Sequence, residues 1–234
     1  ADDGTLGYVS NLDTAKGIGS SASDPALNSA IQTLCAGELY TIARVSCFRD
    51  NTAPYQRNSL SIKTNSGYNW RDSGDIRWMS PTNADARAYV AGVCGELAAL
   101  GFDEIVLDYS AYPTQGRLQN IRTGSDYDAG QFASVISGFY DQVRAALADY
   151  PQVRLSIVTD SDTVLNGSNP SSGQSSQLLA QKADRIWLAP AEGSTWSQYT
   201  GPLSALGMDP NTQVVCVGTQ SGTETQSWAI LQAQ

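Results

Sequence analysis

The chain has 234 residues, 41% of them apolar, 16% charged and none histidine, with a formal net charge of −9 at pH 7. Without histidine there is no Ser-His-Asp triad, no Cys-His pair and no histidine-ligated zinc within this chain, so acid–base chemistry falls to carboxylates, Tyr, Lys or Cys. The negative balance argues against nucleic acid or an anionic membrane surface as partner, since both select Lys and Arg.

No apolar run reaches the ~18 residues of a membrane-spanning helix. No glycine-rich phosphate motif is present, so no nucleotide cofactor is expected. The length suits one (β/α) barrel domain over residues 1–234, and no linker argues for two domains. Ser, Thr, Asn, Gln and Gly replace charge on the surface, as is common outside the cell. The chain opens Ala1-Asp2-Asp3-Gly4, without Met or a signal peptide. We read it as a processed or trimmed piece of an extracellular or cell-surface protein.

In chain order, Gly7 to Asn11 is a weak candidate strand. Leu39 to Phe48 (LYTIARVSCF) is rich in β-branched and aromatic residues and reads as a strand. A polar and aromatic loop follows from Asp50 to Asn83. Asp85 to Leu100 is helical, with Gly101 at its C-cap. Glu104 to Tyr109 is the next strand. Asp128 to Tyr150 is an amphipathic helix stopped by Pro151, its apolar stripe running from Phe132 through Ile136, Phe139 and Val143 to Leu147. Strands are expected at Val153–Thr159, Arg185–Ala189 and Gln213–Val217, and helices at Ser176–Ala183 and Trp196–Leu206. Thr223 to Leu231 is either a last helix or a helix leading into a short strand. Repeated βα units with continuous apolar strands mean a parallel sheet covered by helices. The strand count falls short of eight, so the sheet is either an open doubly wound one or an incomplete (β/α) barrel of TIM type. Cys35, Cys47, Cys94 and Cys216 show no C-x-x-C spacing and read as small buried side chains, one disulfide remaining open.

Asp108 is the first functional candidate. It ends an apolar strand, and in α/β folds ligands meet the protein at strand C-termini. An ionised carboxylate there is costly unless something uses it or pairs with it. Arg44, inside an apolar strand, is its natural partner, either to bind substrate or as a structural ion pair. Asp103 and Glu104 lie at the opposite, stabilising end and receive no catalytic role.

Several strings resemble a known family. Tyr40-Thr41-Ile42-Ala43-Arg44, continuing to Phe48-Arg49-Asp50, is followed by Asn69-Trp70-Arg71-Asp72. Trp78-Met79-Ser80-Pro81 comes next, then Gly101-Phe102-Asp103-Glu104-Ile105-Val106-Leu107-Asp108-Tyr109 with Pro113 beyond. Over about residues 1–120 this is similar to the bacterial putative glycoside hydrolases of TIM-barrel fold. The resemblance implies that the first two barrel strands lie upstream, so that residues 39–48 and 104–109 are strands three and four. It also implies a carbohydrate partner and hydrolysis without a cofactor or metal. Two positions depart from the pattern: Ala111 stands where the family has Arg, and Tyr112 where it has Phe.

Glycosidic bonds are usually cut by two carboxyl groups flanking the scissile oxygen. With Asp108, the candidates for the second are Asp160, after the strand VRLSIVT, and Glu192, after RIWLAP. Asp160 can instead cap a turn with Ser161 and Asp162. Asp50, at another strand end, is a third option for the second acid and also a candidate for substrate binding together with Arg44, Trp70, Trp78, Tyr109 and Tyr112. Aromatic rings in such a loop either stack on sugars or pack on one another. Tyr55 and Tyr68 belong to the same aromatic group, whereas Trp187 and Trp228 read as core. The functions open at this stage are a carbohydrate-active hydrolase, an inactive barrel that binds glycan or cell-wall polymer, and a purely structural domain of a larger surface protein. An open sheet edge at residues 39–48 would be covered by the N-terminal segment or pair with a second copy.

Overall fold

The computed structural model describes residues 3–218 and 227–230. Two helices, α1 (Asp13–Ile18) and α2 (Ala26–Cys35), precede β1 (Ile42–Ser46). A short α3 (Ala53–Gln56) begins the long loop that leads to α4 (Ala84–Leu100) and β2 (Glu104–Asp108). Next come α5 (Phe132–Ala146), β3 (Arg154–Thr159), α6 (Ser161–Leu165) and a hairpin of β4 (Ser168–Asn169) and β5 (Gln174–Ser175). The chain continues through α7 (Ser176–Lys182), β6 (Arg185–Leu188), α8 (Trp196–Ala205), α9 (Pro210–Gln213), β7 (Val214–Gly218) and β8 (Ser227–Ile230).

Six strands form one sheet in the order β1-β2-β3-β6-β7-β8, with every pairing parallel. Neighbouring strands are thus adjacent in sequence order, as in a barrel, and the sheet curls into a half-barrel with β1 and β8 at its edges. Strand periodicity sends alternate residues to opposite faces. Ile105 and Leu107 enter the main core, whereas Val106 joins Trp187 and Val215 in a separate cluster on the concave face. Phe139 and Val143 of α5, and Val90, Val93 and Leu97 of α4, fill the convex side. Asn83 caps α4 by accepting from Ala86 N–H, and Gly101 ends it at φ 102°, a left-handed conformation that glycine adopts without strain.

Two expectations, the strand at Gly7–Asn11 and Trp228 as core, need correction, and two that were left open are narrowed. Gly7–Asn11 forms no strand: its N–H groups are taken by side chains, Val9 by Asn28, Ser10 by Ser21 and Asn11 by Glu96. The C-terminal element at 227–230 is a strand, while residues 223–226 and 231 lie outside the described residues. Trp228 is 45% exposed on this edge strand rather than core. The four cysteines are free, Cys47 and Cys94 buried and Cys35 and Cys216 partly so.

At its N-terminal end the concave face closes around Glu104, which is fully buried. Its Oε1 accepts from Ser156 at 2.5 Å and from the Trp187 indole at 3.1 Å. Its Oε2 accepts from Tyr40 at 2.8 Å and from Arg185 at 3.0 Å. Four strands or their approaches are tied to one carboxylate, the stabilising role expected of a barrel's lower end.

Candidate active site

At the C-terminal end of the strands the concave face opens into a cleft of about 610 Å³. Asp108 lies at its floor, 8% exposed. The apolar strand that carries it, Ile105-Val106-Leu107, is completely buried, so the carboxylate is held on a rigid support. Arg44, on the same face of the neighbouring strand, reaches forward to Asp108 Oδ2 with Nε at 2.7 Å and a terminal nitrogen at 2.5 Å. Asp108 Oδ1 accepts from Tyr109 N–H at 2.7 Å. Tyr109 turns the chain at φ 48°, an uncommon conformation for a bulky residue. Arg44 lies 5.9 Å from the centre of its ring.

Asp160 lines the same cleft from the end of β3. Its Oδ1 accepts from Thr163 N–H at 2.7 Å and from the Thr163 hydroxyl at 2.8 Å, capping α6. Its Oδ2 accepts from Asn169 at 2.9 Å, which fastens the β4–β5 hairpin. Gln174 of that hairpin is buried beneath the cleft, where it accepts from Thr159 and donates to Tyr140.

The remaining candidates separate. Trp78, Tyr109, Ala111 and Tyr112 line the cleft. The Tyr112 hydroxyl is bonded to Thr82 at 2.6 Å and its ring is stacked on Phe132 at 3.6 Å, so it serves as a wall held from behind. Trp70 is buried behind Trp78, edge-on at 6.4 Å, with its indole donating to the Arg117 carbonyl. Glu192 lies exposed in the turn after β6 and is not among the residues lining the cleft. Tyr55 and Tyr68 are 65% and 75% exposed and also lie outside that lining.

Asp50 is not in this cleft. It is buried beside the N-terminal segment, where it accepts from Thr52 and Ala53 N–H at 2.7 and 2.8 Å. Burial, opposed by those two bonds, pushes its pKa up to about 6. Gly4 packs directly on its carboxylate: a Cβ there would lie 2.0 Å from Asp50 Oδ1. The chain has left the strand by residue 47, so position at a strand end did not carry Asp50 to the concave face.

Two cleft residues escaped sequence reasoning. Asp72 and Arg49 form a second ion pair at 2.7 Å on the cleft wall. The only signal was the position of Asp72 in the Asn69–Asp72 string and of Arg49 at the end of the first one. Among the described residues, no three His, Cys, Asp or Glu side chains converge as a metal site.

A curled parallel sheet wrapped by helices, with carboxylates, arginines and aromatic rings lining a cleft at the strand C-termini, defines a protein of (β/α)-barrel type with its candidate site at the end where such barrels bind ligands. A model of the family described as "Putative glycosyl hydrolase domain" matches residues 1–215, and the chain belongs to that family. Family and fold together support a carbohydrate-active hydrolase domain.

Among solved structures, the chain is similar to a hypothetical protein from Ruminiclostridium thermocellum ATCC 27405. Identity is 27% and the TM-score 0.55, with 67% of this chain and 78% of that one covered. It also resembles the PgaB (BpsB) glycoside hydrolase domain from Bordetella bronchiseptica, at 13% identity and a TM-score of 0.55, covering 75% of this chain and 60% of that one. The galactosidase domain of an alpha-galactosidase-sucrose kinase, AgaSK, matches at 13% identity and a TM-score of 0.54, over 97% of this chain and 28% of that one. The last two likenesses show a shared fold. No curated protein matches the chain.

Proposed function

We propose that the cleft cleaves glycosidic bonds of an oligo- or polysaccharide, with Asp108 as the reacting carboxylate. The observation that carries this reading is the placement of Asp108. It is an acid on a buried strand, open to a cleft at the strand C-termini, paired with Arg44 and flanked by Trp78 and Tyr109. A carboxylate so held acts as nucleophile or as base toward water. Asp160 is our candidate for the partner acid because it faces the same cleft from the next strand. Glu192, beyond the lining residues, is the weaker alternative. Arg44 holds Asp108 in place, and Tyr109 offers its ring to a sugar face while the buried Trp78 and Tyr112 hold the wall from behind.

One observation favours a second reading, a barrel that binds glycan or cell-wall polymer without cutting it. Ala111, where the family pattern has Arg, faces the cleft and supplies no charge there. A polysaccharide-digest screen of the wild-type chain beside Asp108→Asn separates the two. Release of reducing ends by the wild type alone supports hydrolysis, and binding without release supports the second reading.

An extracellular or cell-surface setting fits the weakly charged surface and a polymeric substrate. Among the described residues, no helix is long and apolar enough to cross a membrane. The β1 edge, whose sheet pairing runs only to β2, is the proposed surface for self-association, and sedimentation would reveal it.

A further inference from the structure

The second ion pair of the cleft has no role in that mechanism. Asp72 and Arg49 are largely buried, their side chains 11% and 16% exposed. Asp72 Oδ2 accepts from Arg49 Nε at 2.7 Å and from the Trp78 indole at 3.0 Å. Its Oδ1 accepts from the N–H groups of Gly74 and Ile76 at 2.9 and 3.1 Å. Burial alone would raise its pKa, but the bonds from Arg49, Trp78 and Ile76 hold it below the usual aspartate value. With the Arg49 guanidinium paired to it, Asp72 stays an anion and is poorly suited to deliver a proton.

Its two side-chain donors converge on one ring. The Arg49 guanidinium lies 5.1 Å from the centre of Tyr109, and Trp78 meets Tyr109 edge-on at 5.7 Å and 82°. Tyr109 keeps its left-handed backbone at φ 48°. Such strain persists where the surroundings over-determine a residue, and it concentrates at functional sites. Trp78 and Tyr109 both border the cleft that holds Asp108.

We propose that Asp72 is the positioning residue of a sugar-binding wall in which Tyr109, partly exposed, takes the C–H face of a pyranose next to Asp108 and Trp78, 6% exposed, backs that ring. This rests on the reading of the cleft as a glycan site. Asp72 touches no substrate; it fixes the indole directly and the tyrosine ring through Arg49.

The test measures binding and cleavage of hexaoses of glucose, galactose, xylose and N-acetylglucosamine by the wild-type chain, Asp72→Ala and Trp78→Phe. Circular dichroism and thermal midpoints check the fold. On the hexaose that the wild type binds best, Asp72→Ala raises Kd about tenfold, equivalent to about 1.4 kcal/mol. Where that hexaose is cut, KM rises and kcat stays within about threefold, the pattern of lost binding rather than lost folded enzyme. Trp78→Phe keeps a ring but loses the bond to Asp72, and raises Kd about threefold; it carries the test if Asp72→Ala does not fold. Wild-type Kd in the folded variants overturns the role of Asp72 and leaves the hydrolase reading standing. A hexaose bound but not cut sinks hydrolysis while the Kd comparison still decides on Asp72. No hexaose bound by the wild type overturns both.

Discussion

Replacing Glu104 by Gln should destabilise the fold without touching the chemistry, and the structure sets the size of the effect. Each Glu104 oxygen accepts two donors: Ser156 and the Trp187 indole on one, Tyr40 and Arg185 on the other. An amide turns one oxygen into a donor. The hydroxyls of Ser156 and Tyr40 can rotate to accept, but indole and guanidinium N–H groups cannot. Either amide orientation therefore sets one donor against another in a fully buried site, and the charge opposite Arg185 is lost. Arg185 is 16% exposed and recovers some solvation. We take the low end of the cost of breaking a buried pair, about 3 kcal/mol. For a chain of this size that lowers the thermal midpoint by about 6–12 °C. Urea unfolding followed by circular dichroism measures it, and activity per folded molecule should not change. A loss below about 1 kcal/mol would refute the argument that this hub holds the lower end of the half-barrel.

Further expectations concern the other acids. Asp160→Asn keeps a good helix cap, whereas Asp160→Ala costs about 1 kcal/mol of stability; if Asp160 is the partner acid, hydrolysis falls about 100-fold in both, and wild-type turnover by Asp160→Asn would reduce it to a cap. Asp50 holds its proton more tightly folded than unfolded, about 6 against an ordinary 3.8. Its contribution to stability therefore grows as pH falls through about 6 and is complete below about 3.8. Thermal midpoints from pH 7 to pH 4 should show this gain in the wild type and not in Asp50→Asn; the same slope in both would contradict it.

The βα rhythm was legible because each strand is a short apolar run and each long helix carries an apolar stripe. Ile105 and Leu107 face the helices, Glu104 and Asp108 the concave side, and alternation alone assigns those faces. Asp108 and its pairing with Arg44 followed from the cost of burying either charge alone. Asp160 was legible both ways, since a strand-end acid before Ser-Asp-Thr is also a helix cap, and its carboxylate makes those capping bonds. Position in the chain misled for Asp50, whose backbone has already turned toward Gly4. Asp72 and Arg49 were missed for a different reason. Their contact spans 23 positions across an aperiodic loop, and such a loop gives no facing rule from which to predict a pair.

The most direct test of the central claim compares the wild-type chain with Asp108→Asn on a panel of polysaccharides, scoring reducing ends released. In the amide variant a donor faces either Arg44 or Tyr109 N–H, a cost of about 1–2 kcal/mol, so the fold persists with a midpoint lowered by no more than about 8 °C. The wild type should release reducing ends, and the variant should release about a thousandfold fewer. Equal release by both would make Asp108 structural, and no release by a wild-type chain that binds the same polysaccharide would make this barrel a glycan binder instead of a hydrolase.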